Sequence, residues 1–453
     1  MVKDQDFSLN PMPAIFSAFS KKNFGFRNGL KEQNHSFCQM KYLLTAVSGL
    51  IIFNLTTEAQ KITTTNAQKL VYTNEDSLLM GSNSQKTVIS GYGSAFYQRN
   101  FDMQQSTVTL ERAVLFVGHQ FSQKISFFSE LEIENAKVEG GVSNNAEIAM
   151  EQAFLKFNLN SHQYIIGGLF TPRIGILNEN HLPTNFNGVE RPMVETLIIP
   201  ATWRELGIGF YGNSEKIPLN YSFALMNGLE GANFEHGSGI RGGRAEGNLA
   251  SANNIAVTAA LQYFWKNFKF QVSAYSGGTV TLSPKGADSL GLNGGAFGTP
   301  IYLGEADAQY EYNAWSGKVL GVYIAYPDAG KMNTVYGNNT ATGMNGAYLE
   351  IAYNWLFKKS TKASFISFAR FEALNMNSSI AKNGEGIYDG TENQTHLIMG
   401  FGYLPLPNVV IKADVRLMHT GPQNPALVVN PEPNAPPYQQ NNQFLNLGIG
   451  YSF

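Results

Sequence analysis

The sequence predicts an all-β chain folded as a transmembrane, antiparallel, up-and-down β-barrel of about 16 strands. Three observations predict it. Apolar and polar residues alternate along segments of roughly 9–13 residues, the length a tilted membrane strand needs. The connections between those segments alternate between short and long. The chain past residue 59 has no apolar stretch of ~18 residues, so helices are not what would span a bilayer.

The strands are expected at 87–99, 107–119, 124–136, 147–158, 163–171, 205–213, 217–227, 254–265, 268–278, 303–314, 318–326, 344–356, 362–374, 395–404, 408–419 and 443–453. Strand 15 shows the pattern best. Val409, Ile411, Ala413, Val415 and Leu417 form one face; Lys412, Asp414 and Arg416 form the other. On strand 3, Ile125, Phe127, Leu131 and Ile133 oppose Phe128, Glu130, Glu132 and Glu134. On strand 10, Ala306, Ala308, Tyr310 and Tyr312 oppose Glu305, Asp307, Gln309 and Glu311. Arg370 and Glu372 share a face of strand 13. Such charged faces must meet water, which in a membrane barrel lies in the lumen. A one-sided soluble sheet would instead need a matching core, and the sequence has no helices to supply it.

The connections after even-numbered strands are tight, as at Lys266–Asn267 and Pro405–Pro407. Those after odd-numbered strands are long, apart from 100–106; the longest is 172–204. This alternation marks a barrel with short periplasmic turns and long extracellular loops. Aromatic residues beside the short turns, among them Tyr164, Tyr211, Trp265, Trp355 and Tyr403, read as an interfacial girdle.

Upstream of the strands, Met40-Lys41-Tyr42 precedes a mostly apolar run from Leu43 to Leu55, and the small Ala59 offers a cleavage position. Residues 40–59 thus have the form of a signal peptide. Residues 1–39 read as an extension from a misplaced start codon, and 60–86, rich in Thr, Asn, Gln and Ser, as a short, loosely ordered periplasmic segment. Removing 1–59 removes the single cysteine, Cys38, so no disulfide framework is expected. The formal net charge of −2 becomes −4 once the six basic and four acidic residues of 1–59 are taken away. That balance argues against a nucleic-acid partner.

The last strand, Gln443 to Phe453, puts Leu445, Leu447, Ile449, Tyr451 and Phe453 on one face. It resembles the closing strand of bacterial outer-membrane β-barrels, whose terminal aromatic residue is read by the barrel-assembly machinery. By that resemblance Ile449, Tyr451 and Phe453 are the assembly signal, and outer-membrane lipid and the assembly machinery are expected partners.

Three segments carry a closer resemblance. They are Tyr164-Ile-Ile-Gly-Gly-Leu-Phe-Thr-Pro-Arg173; Glu190-Arg-Pro together with Thr202-Trp-Arg-Glu-Leu-Gly-Ile-Gly-Phe-Tyr-Gly212; and Phe368-Ala-Arg-Phe-Glu372. With about 16 strands and a long third outer loop, the chain looks like a porin and resembles the phosphate-selective porin O and P family. The resemblance implies a water-filled, trimeric pore with the third outer loop, 172–204, folded inward as the constriction, passing small hydrophilic solutes or ions. It also implies basic side chains along the path. Here the loop holds Arg173, Arg191 and Arg204 but also Glu179, Glu190 and Glu195, so its formal charge is zero, and phosphate selectivity does not carry over.

Arg173, Glu190, Arg191, Glu195 and Arg204 are the candidate constriction residues; the other reading is that they pair with one another and pin the loop to the wall. Glu130, Glu132, Glu134, Glu305, Asp307, Glu311, Arg370, Glu372, Lys412, Asp414 and Arg416 are candidate lumen residues. The glycine-rich stretch 237–247, with Arg241 and Arg244, reads as a flexible surface loop, because a phosphate cradle needs a strand-to-helix context. His181, His236 and His419 fall in or beside outer loops without a recognisable Ser or Asp pairing, so no catalytic residues and no enzyme are expected. No HExxH or paired-Cys spacing points to a metal, and no cofactor is expected. A second reading is a barrel with a closed lumen that acts through its surface loops in assembly, adhesion or surface hydrolysis.

Overall fold

The computed structural model describes residues 63–72, 86–134, 147–359, 361–382, 384–428 and 438–453. The expected signal peptide 40–59, the stretch 1–39 and the loop segments 135–146 and 429–437 lie outside the described residues.

Sixteen strands form one sheet. They are β1 (Lys86–Asn100), β2 (Gln105–Gln120), β3 (Ile125–Glu134), β4 (Glu147–Asn158), β5 (Gln163–Phe170), β6 (Glu205–Asn213), β7 (Leu219–Asn227) and β8 (Ile255–Trp265). There follow β9 (Phe268–Gly278), β10 (Pro300–Tyr312), β11 (Trp315–Ala325), β12 (Gly343–Asn354), β13 (Ser364–Ser379), β14 (Asn393–Leu406), β15 (Val409–Thr420) and β16 (Asn441–Ser452). Each strand pairs antiparallel with its sequence neighbours, and β1 pairs with β16 from Tyr92↔Ser452 to Asn100↔Phe444, closing the barrel. Closure satisfies every edge, which is what allows a sheet to stand in lipid. Among the described residues no helix is long and apolar enough to cross a membrane. The chain is a transmembrane β-barrel that crosses with its strands.

Outward side chains build an apolar belt. Ile208, Phe223, Val272, Leu349, Ile351, Phe371, Ile411 and Ile449 are all exposed on alternate strand positions. Trp265, Trp315 and Trp355 stand outward beside the short turns. Tyr164 and Tyr211, read from the sequence as girdle residues, instead point inward and stack at 5.2 Å with an interplanar angle of 3°. On β5, Gly168 has φ +139, and a Cβ there would lie 2.3 Å from the Ala153 carbonyl oxygen. Only glycine permits that approach of β4 to β5 where the chain leaves the wall for its longest loop.

The interior is packed. Tyr92, Phe116, Phe128 and Phe154 run across β1–β4 with successive ring centroids 5.7, 5.6 and 5.6 Å apart. Residues 63–72, expected within a loosely ordered segment, instead contain an ordered helix, α1 (Asn66–Tyr72), laid against this inner face at the short-turn end. Thr65 and Gln68 form a capping box, with Thr65 N donating to Gln68 Oε1 (3.0 Å) and Gln68 N donating to Thr65 Oγ1 (3.3 Å). Ala67 is fully buried, its N–H donates to Ser90 Oγ, and the Lys156 ammonium donates to the Leu70 carbonyl.

Candidate functional site

The longest described connection, 171–204, leaves β5, crosses the lumen and returns to β6. Its apolar side chains Ile174, Leu177, Leu182, Val194, Ile198, Ile199 and Trp203 are buried inside the barrel. Charged wall residues hold its backbone. On β13, Arg370 pairs with Glu350 of β12 (Nη1–Oε2 3.1 Å) and with Glu372 (Nε–Oε1 2.8 Å). Those carboxylates take the loop's donors: Glu350 accepts from Asn187 Nδ2 (2.8 Å) and Glu372 from Val194 N (3.0 Å). On β15, Lys412 donates to the carbonyls of Phe186 (2.7 Å) and Gly188 (2.8 Å), and Asp414 accepts from Val189 N (2.6 Å).

Glu195 ties the loop to itself and to the wall. Its carboxylate accepts from Ile176 N (2.8 Å), Leu177 N (2.7 Å) and the Tyr348 hydroxyl (2.6 Å). Burial pushes the Glu195 carboxyl up from its ordinary value, and the Tyr348 and Leu177 donors pull against that rise. Burial also raises the Glu190 carboxyl, opposed by Arg416, whose Nη2 lies 3.3 Å from Glu190 Oε2.

The five candidate constriction residues separate into two groups. Arg173 pairs within the loop with Glu179 at 2.6 Å, and Glu195 is the buried hub just described; neither lines the cavity that the other three share. Glu190, Arg191 and Arg204 line one cavity of ≈ 310 Å³. It lies between the inward loop, the wall at β2 and β3, and the connection after β7. Arg112, Arg241 and Arg244 line it too, with Glu111, Glu132, Glu134 and Glu246. Arg112 meets Glu111 (3.2 Å), Glu132 (3.3 Å) and Glu134 (3.7 Å). Glu246 joins Arg204 (2.7 Å) and Arg244 (2.9 Å). Arg191 is different: it is buried, one Nη donates to the Ala201 carbonyl at 3.3 Å, and its Nε and other Nη have no hydrogen-bond partner.

Glu130, Glu132, Glu134, Glu305, Asp307, Glu311, Arg370, Glu372, Lys412, Asp414 and Arg416 fall on inward strand positions. All but Glu134 and Glu311 are buried, under the inward loop and one another, rather than on an open water-lined face. Pairing and the loop's donors and acceptors sustain this burial at Arg370, Glu372, Lys412, Asp414 and Arg416, whereas Glu305 and Asp307 accept from the wall side chains Ser273 and Gln309.

Sequence alternation missed Glu111, Arg112 and Glu151 for one reason. The β1–β2 register passes from Ser94↔Arg112 to Ala95↔Leu110, and the β3–β4 register from Glu130↔Gln152 to Leu131↔Met150. Each skip is a β-bulge that turns two consecutive residues, Glu111 with Arg112 and Glu151 with Gln152, toward the inside. The glycine-rich stretch 237–247 is a correction: it is packed over the cavity, with Ile240 buried and Arg244 donating to the Arg241 and Pro200 carbonyls. Burial lowers the Arg244 guanidinium from its ordinary value.

The histidines take other positions. His181 meets Glu130 and Glu151 inside the barrel, His236 meets Asp389 (3.2 Å) at the long-loop end, and His419 meets Asn441 (2.8 Å). Ile449, Tyr451 and Phe453 face outward and are exposed.

No family model matches the chain. Solved structures similar to it include Salmonella typhi OmpF in complex with daunomycin, with a TM-score of 0.50 and 13% identity over 82% of this chain and 98% of that one. Another is an anion-selective porin from Comamonas acidovorans, with a TM-score of 0.49 and 8% identity over 82% and 100% of the two chains. An uncharacterized protein of Aquifex aeolicus (strain VF5) is 31% identical over 341 residues, covering 72% of this chain and 74% of its own. At that identity and coverage, the chain belongs to the same family as the Aquifex aeolicus protein.

Proposed function

We propose that the protein is an outer-membrane pore of the porin type, through which small hydrophilic solutes or ions diffuse passively past a constriction made by residues 171–204. The observation that carries this reading is the inward loop itself. A 16-stranded barrel is wide enough for an aqueous channel, and here the connection 171–204 runs from β5 and β6 across it to the wall at β12–β15, where it is fastened. The OmpF-like fold supports the same reading. The mechanism is size exclusion and electrostatic screening, without bond chemistry. Export by 40–59, outer-membrane insertion through Ile449, Tyr451 and Phe453, and a homotrimeric assembly belong to the proposal.

The cavity beside the loop is the proposed filter. Five arginines and five glutamates line it, so the side chains balance in formal charge. Arg191 is the cation among them with two buried, unpartnered nitrogens, and it gives the filter an anion preference. Phosphate selectivity is not part of this reading. In a planar bilayer with a KCl gradient, the native protein is expected to show stable conductance steps and a reversal potential on the anion side. Arg191→Gln is expected to move that potential toward cations by several millivolts, and an unmoved potential removes Arg191 from the filter.

The burial of the inward charges and the helix α1 at the short-turn mouth favour a second reading, a barrel that stays shut and acts through its outer loops. The same bilayer recording separates the two: a folded, heat-modifiable barrel that passes no current supports the second.

A further inference from the structure

Three residues far apart in sequence meet at the root of the inward loop. Glu130 comes from β3, Glu151 from the β4 bulge and His181 from the loop; they are 0%, 0% and 2% exposed. His181 Nε2 lies 3.3 Å from Glu130 Oε1 and 3.4 Å from Glu151 Oε2, and one ligand atom from each residue lies within 4.8 Å of the others. Neither oxygen of Glu151 has a hydrogen-bond partner, and besides His181 it pairs with Arg204 at 3.8 Å. Gln152 donates to Glu130 Oε2 at 2.7 Å, which leaves Oε1 directed at the histidine.

A proton on His181 Nε2 serves this arrangement poorly. It would be shared between two acceptors at 3.3 and 3.4 Å, whereas a charge-assisted N–H···O bond is ~2.7–2.9 Å long. Glu151 would have only that shared, long contact as a donor, which is costly for a buried carboxylate. A divalent ion answers both defects. Neutral imidazole with two carboxylates balances a 2+ charge. Donors ~2.0–2.2 Å from a tetrahedral zinc stand ~3.3–3.5 Å apart, matching the 3.3 and 3.4 Å separations here. A nitrogen donor and few, closely set oxygens suit zinc or cobalt rather than calcium, which takes 6–8 oxygen ligands.

We propose that Glu130, Glu151 and His181 bind one divalent transition-metal ion of the zinc class, which clasps the inward loop to the barrel wall at β3 and β4. Arg204 touches Glu151 and lines the cavity beside the loop, so the site is one side chain from that space. Sequence spacing gave no sign of it, because the ligands are 21 and 30 positions apart and one lies at a bulge. The inference does not depend on whether the barrel conducts.

The test uses detergent-extracted, natively folded protein carrying His236→Gln, which removes the other cluster, among the described residues, of a histidine with two carboxylates, Asp389 and Glu392. After chelator treatment and addition of zinc or cobalt(II), one equivalent is expected to remain per chain through gel filtration, with the visible absorption of tetrahedral cobalt and a raised melting temperature. Adding Glu151→Gln or His181→Gln is expected to weaken binding at least tenfold and abolish the melting shift. Absence of bound metal in the His236→Gln protein overturns the proposal, and so does binding unchanged by Glu151→Gln and His181→Gln. Should either of those variants fail to fold, the cobalt spectrum of the His236→Gln protein decides: an octahedral, oxygen-only signature overturns the site.

Discussion

Replacing Arg370 with alanine is expected to cost about 3–5 kcal/mol of barrel stability, because it strands two buried carboxylates without their counter-charge. Arg370 is 2% exposed, and the side chains of Glu350 and Glu372 are 4% and 0% exposed. Both carboxylates also hold the loop, through Asn187 and Val194. The variant is therefore expected to melt at a lower temperature, lose heat-modifiability earlier and, where it folds, conduct more and with greater noise. Arg370→Lys keeps the charge but not the forked geometry that reaches both partners, so it is expected to fall between the two. Thermal melting in detergent with bilayer recording checks both parts. An Arg370→Ala protein that melts like wild type would show that the triad does not hold the lumen together.

Glu195→Ala is expected to cost on the order of 3–5 kcal/mol by orphaning three donors at once: the amides of Ile176 and Leu177 and the hydroxyl of Tyr348. The damage is local to the loop, since none of these bonds belongs to a strand ladder. Hydrogen exchange at residues 174–178 is the appropriate readout. Exchange there should rise steeply while the amides of β14 and β15 stay protected; exchange rising equally throughout would mean that the loop and wall unfold as one unit. Tyr348→Phe removes one donor together with its bond and should cost much less.

Much of the architecture was legible because membrane strands leave a period-2 record. On β15, the expected face of Lys412, Asp414 and Arg416 is the inward one, since a single register runs unbroken from Val409 to His419 against β16. Tight turns such as Lys266–Asn267, which bring Trp265 opposite Phe268, marked the strand ends. The site was less legible. A bulge leaves no mark on hydrophobic alternation, so Glu111, Arg112 and Glu151 could not be assigned a face. The loop's anchors join residues more than 150 positions apart, such as Lys412 with Phe186 and Tyr348 with Glu195. No local pattern encodes those pairs. Helix α1 has its capping box in plain view at Thr65 and Gln68, but seven residues carry too little amphipathic pattern to reveal that their partner is the inside of a barrel.

The most direct test of the account is the single-channel conductance of the native protein beside a variant lacking residues 178–200, both checked as folded by heat-modifiability. The deletion removes the Glu195 hub and the stretch held by Lys412, Asp414 and Glu372. Stable small steps are expected from the native barrel and a severalfold larger conductance with weaker ion preference from the deletion. Equal conductance from the two folded barrels would contradict that expectation, because the loop that crosses the lumen would then not be what limits passage.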